Sequence, residues 1–203
     1  MQIRRTVLGL VALGLLAPVA TAPATAKPKP KPKPKPVCFL ITDESNDSGG
    51  SYKSSKALDV SSADVATGAK TLVAVLRVQT TDMNGDTWAP VGYSWFVGWT
   101  IQGVKYAVTA RRSLDTSKAA WTYKFAYTIG VTETDWPDSW AKPVIGPTSY
   151  TWTMPRTAIP GLKKPGQVLT DLQSGSGALG GNADQASSKN TYKDRTPSCV
   201  KAA

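Results

Sequence analysis

Asp43, Glu44 and Asp47 put three carboxylates into one short segment, and hard oxygen donors gathered in this way are what calcium takes in extracellular domains. If Cys38 and Cys199 are joined, the stretch carrying Asp184 is drawn toward the same place. The expectation is a structural calcium site at the joined ends, built on Asp43, Asp47, Asp59 and Asp184. A plain Asp/Asn/Ser turn explains the opening segment as well, and stays open beside it. Asp82-Met83-Asn84-Gly85-Asp86 shares some of the composition of a calcium loop but lacks its turning Gly and closing Glu, so it reads as a hairpin turn.

A second constellation lies in Thr134-Asp135-Trp136-Pro137-Asp138-Ser139-Trp140, where two indoles flank two carboxylates in a turn-like stretch. A flat ring stacks on the apolar face of a sugar while nearby carboxylates accept its hydroxyl hydrogen bonds. Trp136, Trp140, Asp135 and Asp138 are therefore the candidate ligand platform. The competing expectation folds both rings back over a sheet end.

Catalysis is limited by what the chain lacks. It has no His and only two Cys, which removes Ser-His-Asp and Cys-His nucleophiles together with zinc and iron–sulfur sites. Ser139 and Lys142 have Ser-x-x-Lys spacing without the Ser-Asp-Asn and Lys-Thr-Gly elements that accompany it in β-lactamases. Glu133 with Asp135 or Asp138 supplies the acid pair of a glycosidase, but acids bunched in a polar turn are ordinarily solvated. No catalytic residue is assigned, and a non-catalytic protein is expected.

The elements that must hold these residues are strands. Leu72, Ala74, Leu76 and Val78 alternate with Val73, Val75 and Arg77, and Tyr93, Trp95, Val97, Trp99 and Ile101 alternate with Ser94, Phe96, Gly98 and Thr100. Val104, Tyr106 and Val108 follow a turn at Gln102-Gly103, and Trp121, Tyr123, Phe125, Tyr127 and Ile129 form the next apolar face. Tyr150, Trp152 and Met154, then Val168, Thr170 and Leu172, are the last two candidates. Period-two alternation rich in aromatic and β-branched residues is the strand signal. Residues 173–198, rich in Gly, Ser, Asn and Asp, read as a long loop before Cys199. About 165 residues suffice for one core, so the expectation is an all-β single domain over 38–203, a jelly-roll-like β-sandwich of two antiparallel sheets. An isolated Cys pair in an exported chain is expected to form the disulfide Cys38–Cys199.

Ahead of the domain, Arg4 and Arg5 precede a short apolar core from Val7 to Ala17, and small-residue cleavage sites end at Ala22 and Ala26. Residues 1–26 therefore read as a signal peptide, with cleavage after Ala26 favoured because Pro23 follows the first site. No transmembrane segment is expected in the mature chain. Residues 27–37 open with five Lys-Pro units, which favour an extended polyproline II rod of roughly 30 Å. The formal charge of +10 is mostly outside the domain. Of 24 Lys and Arg, two lie in the leader and five in the rod, leaving 17 against all 14 acids, or +3. That balance argues against a specific nucleic-acid partner.

Asp43-Glu44-Ser45-Asn46-Asp47 with Gly49-Gly50, Ala57-Leu58-Asp59-Val60 and a strand ending Leu76-Arg77-Val78 are similar to the opening of secreted β-sandwich modules of the DOMON and family-9 carbohydrate-binding type. Trp152-Thr153-Met154-Pro155-Arg156, Gly166-Gln167-Val168-Leu169 and Asp184-Gln185-Ala186 before Tyr192 resemble the closing part of such actinobacterial surface modules. The likeness spans most of residues 38–200 and implies a sandwich of a binding class whose members take sugars or haem. Without His, only Met83 and Met154 could ligate haem iron. The expected protein is thus a secreted, extracellular or cell-wall-associated monomer that binds a glycan or an anionic cell-wall polymer. The alternative is an envelope-associated structural or protein-interaction domain positioned by its cationic rod.

Overall fold

The computed structural model describes residues 32–203 except 45–46, 49–51, 53–54, 85–91, 116–117, 130–131, 137–140 and 179–180; side chains at 113–115, 118–120, 127–129, 132–136 and 181–182 are likewise outside the description. The leader and the first part of the Lys-Pro run lie outside those residues.

In chain order the strands are β1 (Ile41–Thr42), β2 (Val60–Thr67), β3 (Thr71–Val78), β4 (Tyr93–Ile101), β5 (Val104–Asp115) and β6 (Lys118–Ile129). They continue with β7 (Thr132–Trp136), β8 (Val144–Gly146), β9 (Ser149–Pro155), β10 (Val168–Ala178), β11 (Gly181–Ser188) and β12 (Tyr192–Lys193). One sheet has the order β1-β2-β3-β9-β8 and the other β11-β10-β4-β5-β6-β7, with β12 also paired to β10. All these strand pairs are antiparallel. The chain is the β-sandwich that its alternation predicts.

The inward faces explain why the sheets close on each other. Leu72, Ala74, Leu76 and Val78 of β3 and Tyr150, Trp152 and Met154 of β9 are buried against Tyr93, Trp95, Val97, Trp99 and Ile101 of β4. Aromatic stacking fills the interior: Trp95 lies 4.7 Å from Tyr150 and 5.8 Å from Trp121 between ring centroids. The Trp95 indole also donates to the Ala57 carbonyl at 2.8 Å, so its one polar atom is satisfied.

Residues 173–198 do not form a loop. They complete β10 and supply β11 and β12. The physical reason is complementarity of size across the β4–β10 pair. Ser174, Ser176 and Ala178 are buried opposite Val97, Trp95 and Tyr93, and Gly175 stands opposite Phe96. Small residues make room for large ones, which a scan for apolar alternation cannot detect. A register shift between Thr170 and Gln173 then moves the buried face. Asp171 takes φ 48° there, and Leu169 and Leu172 are both buried while Val168 is 44% exposed. The expected face of Val168, Thr170 and Leu172 is corrected accordingly. Gly85 and Asp86 of the expected hairpin turn at Asp82–Asp86 lie outside the described residues, and β3 and β4, which flank the stretch, belong to different sheets.

Cys38 and Cys199 form a disulfide with a Cα separation of 5.2 Å. Around it the Val37 N–H donates to the Pro197 carbonyl at 2.8 Å and the Cys199 N–H to the Val37 carbonyl at 3.1 Å. Among the described residues no helix is long and apolar enough to cross a membrane.

Candidate functional site

Three of the four acids expected to converge do so. Asp43 leaves β1 at the edge of the smaller sheet, where its N–H donates to the Ser61 carbonyl at 3.1 Å. Asp184 sits on β11 at the edge of the larger sheet, buried, with Oδ2 accepting from the Val60 N–H at 2.7 Å. With the exposed Asp47, these residues each bring one carboxylate oxygen within 4.8 Å of the others. Asp59 stands near Asp43 but outside this trio: its Oδ2 accepts from Gln79 Nε2 at 2.5 Å. Of the four acids expected to hold calcium, Asp43, Asp47 and Asp184 come together and Asp59 stands outside that group.

Burial and mutual repulsion work against the ionised forms of Asp43 and Asp184. Burial, then the Asp47 charge, pushes the Asp43 carboxyl upward. Burial, joined by the Asp43 and Asp47 charges, pushes Asp184 up to about 7, against the lowering effect of the Val60 N–H. The Asp43 and Asp184 carboxyls lie against each other, an arrangement that a shared proton or a bound cation relieves. Three oxygens, two from the segment after β1 and one from β11, could supply part of the shell of a hard ion such as calcium.

The aromatic platform falls differently. Trp136 and Asp135 end β7, the edge strand of the larger sheet, in register with Phe125 and Ala126 of β6. Their side chains lie outside the described residues, as do Asp138 and Trp140 entirely.

A third arrangement was not singled out in the sequence. On the outward face of the larger sheet, strand register lines up Ala126 of β6, Ala107 of β5, Gly98 of β4 and Gln173 of β10 in one row. The first three carry at most a methyl group, so they form the floor of a trough across the strands. Phe96 lines one side, at the level of Thr109 and Lys124 on the neighbouring strands. The other includes Lys105 and Thr100. The resulting depression has a volume of about 170 Å³, with Asp171 and Gln173 at its β10 end. A neighbouring depression of about 250 Å³ is lined by Gln173, Gln185 and Ser187. Phe96 and Gln173 line both.

Phe96 owes its posture to Gly175. A Cβ at position 175 would lie 2.7 Å from Phe96 Cε1 and 3.0 Å from Cζ. The far end of the ring thus rests on the β10 backbone, and the ring lies along the sheet instead of standing away from it. Aromatic rings covering a cross-strand glycine also stabilise sheets, so the contact has a structural effect whatever else it does. The available sequence signal was Gly98 two places after Phe96 on the polar face of β4. The second glycine belongs to a strand far along the chain.

No protein-family model matches the chain, and comparison with curated proteins and with solved structures gives no match.

Proposed function

We propose that this chain is a secreted, non-catalytic module that binds glycans or envelope polymers, of the kind its resemblance to DOMON and family-9 carbohydrate-binding modules implies. The observation that supports this most is the trough with Phe96 on its wall. A recumbent ring beside amide and hydroxyl side chains offers a stacking surface together with directional hydrogen bonds, the combination a sugar ring needs. Asp171 and Lys105 give the trough both signs of charge, which favours neither nucleic acid nor a strongly charged ligand. In this reading the Lys-Pro rod supplies spacing.

A polysaccharide pull-down of the domain with and without residues 27–36 tests this. Retention that survives removal of the rod and about 0.5 M salt, which cuts the Debye length to roughly half its physiological value of about 8 Å, and that disappears in Phe96→Ala supports the module. Retention that follows the rod and vanishes with salt supports the alternative, an envelope-associated domain held by its polycation. Trp136→Ala and Trp140→Ala run in parallel assign any share carried by the β7 end.

A further inference from the structure

We infer that the outward trough is a two-part site for an extended, uncharged, linear glycan that runs across the strands and bridges both depressions at Phe96 and Gln173. This rests on the glycan-binding reading and goes beyond it in chain length, direction and charge.

The direction follows from register. Ala126, Ala107 and Gly98 occupy successive strands β6, β5 and β4 at one level, so the open path lies perpendicular to the strands. Along the strands it is bounded by Phe96 on one side and by Thr100 and Lys105 on the other. From β6 to β11 there are four strand spacings, a span of roughly 19 Å at about 4.8 Å each. One sugar ring leaves most of that length empty.

The chemistry follows from the lining. The β6-side depression offers the Lys105 ammonium, the Asp171 carboxylate and the Thr100 hydroxyl. The β11-side depression offers the Gln173 and Gln185 amides and the Ser187 hydroxyl, and no charge. Amides donate and accept at once, which matches sugar hydroxyls and gives no advantage to a carboxylate or sulfate. Gln173 and Phe96 line both halves, so a ligand long enough to use both halves contacts them throughout. Gln185 faces only the β11 side, so a short ligand seated on the β6 side does not reach it and a longer one does.

Calorimetric titration of the full chain tests this with a panel of linear glucan, mannan, xylan and chitin oligosaccharides of one to six units, alongside hyaluronan and polygalacturonate fragments. The expected result is at least a tenfold rise in affinity from one to four units for a neutral series, with anionic fragments weaker at moderate salt. Gln185→Ala should reduce the affinity for the longer neutral ligand about fivefold and leave the disaccharide unchanged. Ala107→Leu, which raises the trough floor, should weaken both. Phe96→Ala should abolish binding, with Phe96→Leu as the control that keeps Gly175 covered. Equal affinity for single sugars and long chains, or preference for the anionic fragments, overturns the two-part neutral site and leaves glycan binding standing. Failure of every sugar on the panel overturns both.

Discussion

Arg156 and Asp194 tie the two halves of the sandwich together through paired hydrogen bonds, Nη1 to Oδ1 and Nη2 to Oδ2, each 2.6 Å. Arg156 follows β9 of the smaller sheet and Asp194 follows β12 on the larger. Both side chains are buried, at 7% and 0% exposure. Asp194 also accepts from Thr67 Oγ1 at 2.7 Å and the Gly166 N–H at 3.0 Å, so its oxygens are fully used.

Removing the guanidinium leaves this carboxylate buried with too few donors. Arg156→Met is expected to cost about 3–5 kcal/mol at neutral pH, read from urea denaturation. Burial alone raises the Asp194 carboxyl, but Arg156, Thr67 and the Gly166 N–H outweigh it and hold it below the usual carboxylate range. A depressed folded value contributes stability above the unfolded pKa of about 3.9 and loses it as pH falls through the folded one. The gap between wild type and variant should therefore narrow below about pH 4. An equal gap at pH 7 and pH 3 would sink the ion-pair explanation.

The acidic trio gives the opposite slope. The Asp184 carboxyl is raised to about 7 in the folded protein, so its contribution is complete below the unfolded value of about 3.9 and lost as pH rises toward 7. In chelator, the melting temperature is expected to fall between pH 5 and pH 8. Millimolar calcium should raise it again at pH 8 and have little effect at pH 5, because an ion replaces the missing protons. Asp184→Asn should flatten the pH slope and remove the calcium response. A melting temperature indifferent to calcium at pH 8 would leave the trio with protons alone.

The disulfide closes a sequence separation of 161 residues, and loop-closure entropy assigns such a link about 5 kcal/mol. The paired Cys38→Ser and Cys199→Ser variant should unfold at clearly lower denaturant, with an unchanged circular dichroism spectrum before the transition. Val37 and Cys199 keep their backbone hydrogen bonds to the opposite segment, which predicts a weakened joint and not an open one. Loss of native spectrum without denaturant would show that the disulfide is needed for folding itself.

On the outward face Gly175 has less room for an added atom than Gly98. Its added Cβ would meet the Asp184 carbonyl and Phe96 Cε1, each at 2.7 Å, so Gly175→Ala is expected to cost about 1–3 kcal/mol and to lift the ring. Gly98→Ala meets the Tyr106 carbonyl at 3.3 Å and should cost less. Thermal melts of the two variants side by side check the order. A reversal would mean that Phe96 does not lie where Gly175 permits it.

Much of the fold was legible because alternation is a local property. Tyr93 to Ile101 and Trp121 to Ile129 announce their faces from side-chain type alone, and both are strands. The stretch from Gln173 to Ser188 was opaque for an equally local reason: Ser174, Gly175, Ser176 and Gly177 carry almost no apolar signal. Their burial becomes intelligible only beside Trp95 and Phe96 on β4. Among the acids, Asp43 and Asp47 were visible as neighbours, whereas the separation of Asp59 from the trio depends on its bond to Gln79.

By itself the sequence determined the class of fold, the two cysteines available to close it and the absence of histidine chemistry. Those follow from composition and from patterns a few residues long. Tertiary structure decided which acids share a volume and what lies beside Phe96. Asp43 meets Asp184 because the edges of two sheets come together, and Phe96 rests on Gly175 because β4 and β10 pair in one register out of several. Register between strands remote in sequence is set by packing of the whole core, and no short window of residues contains it.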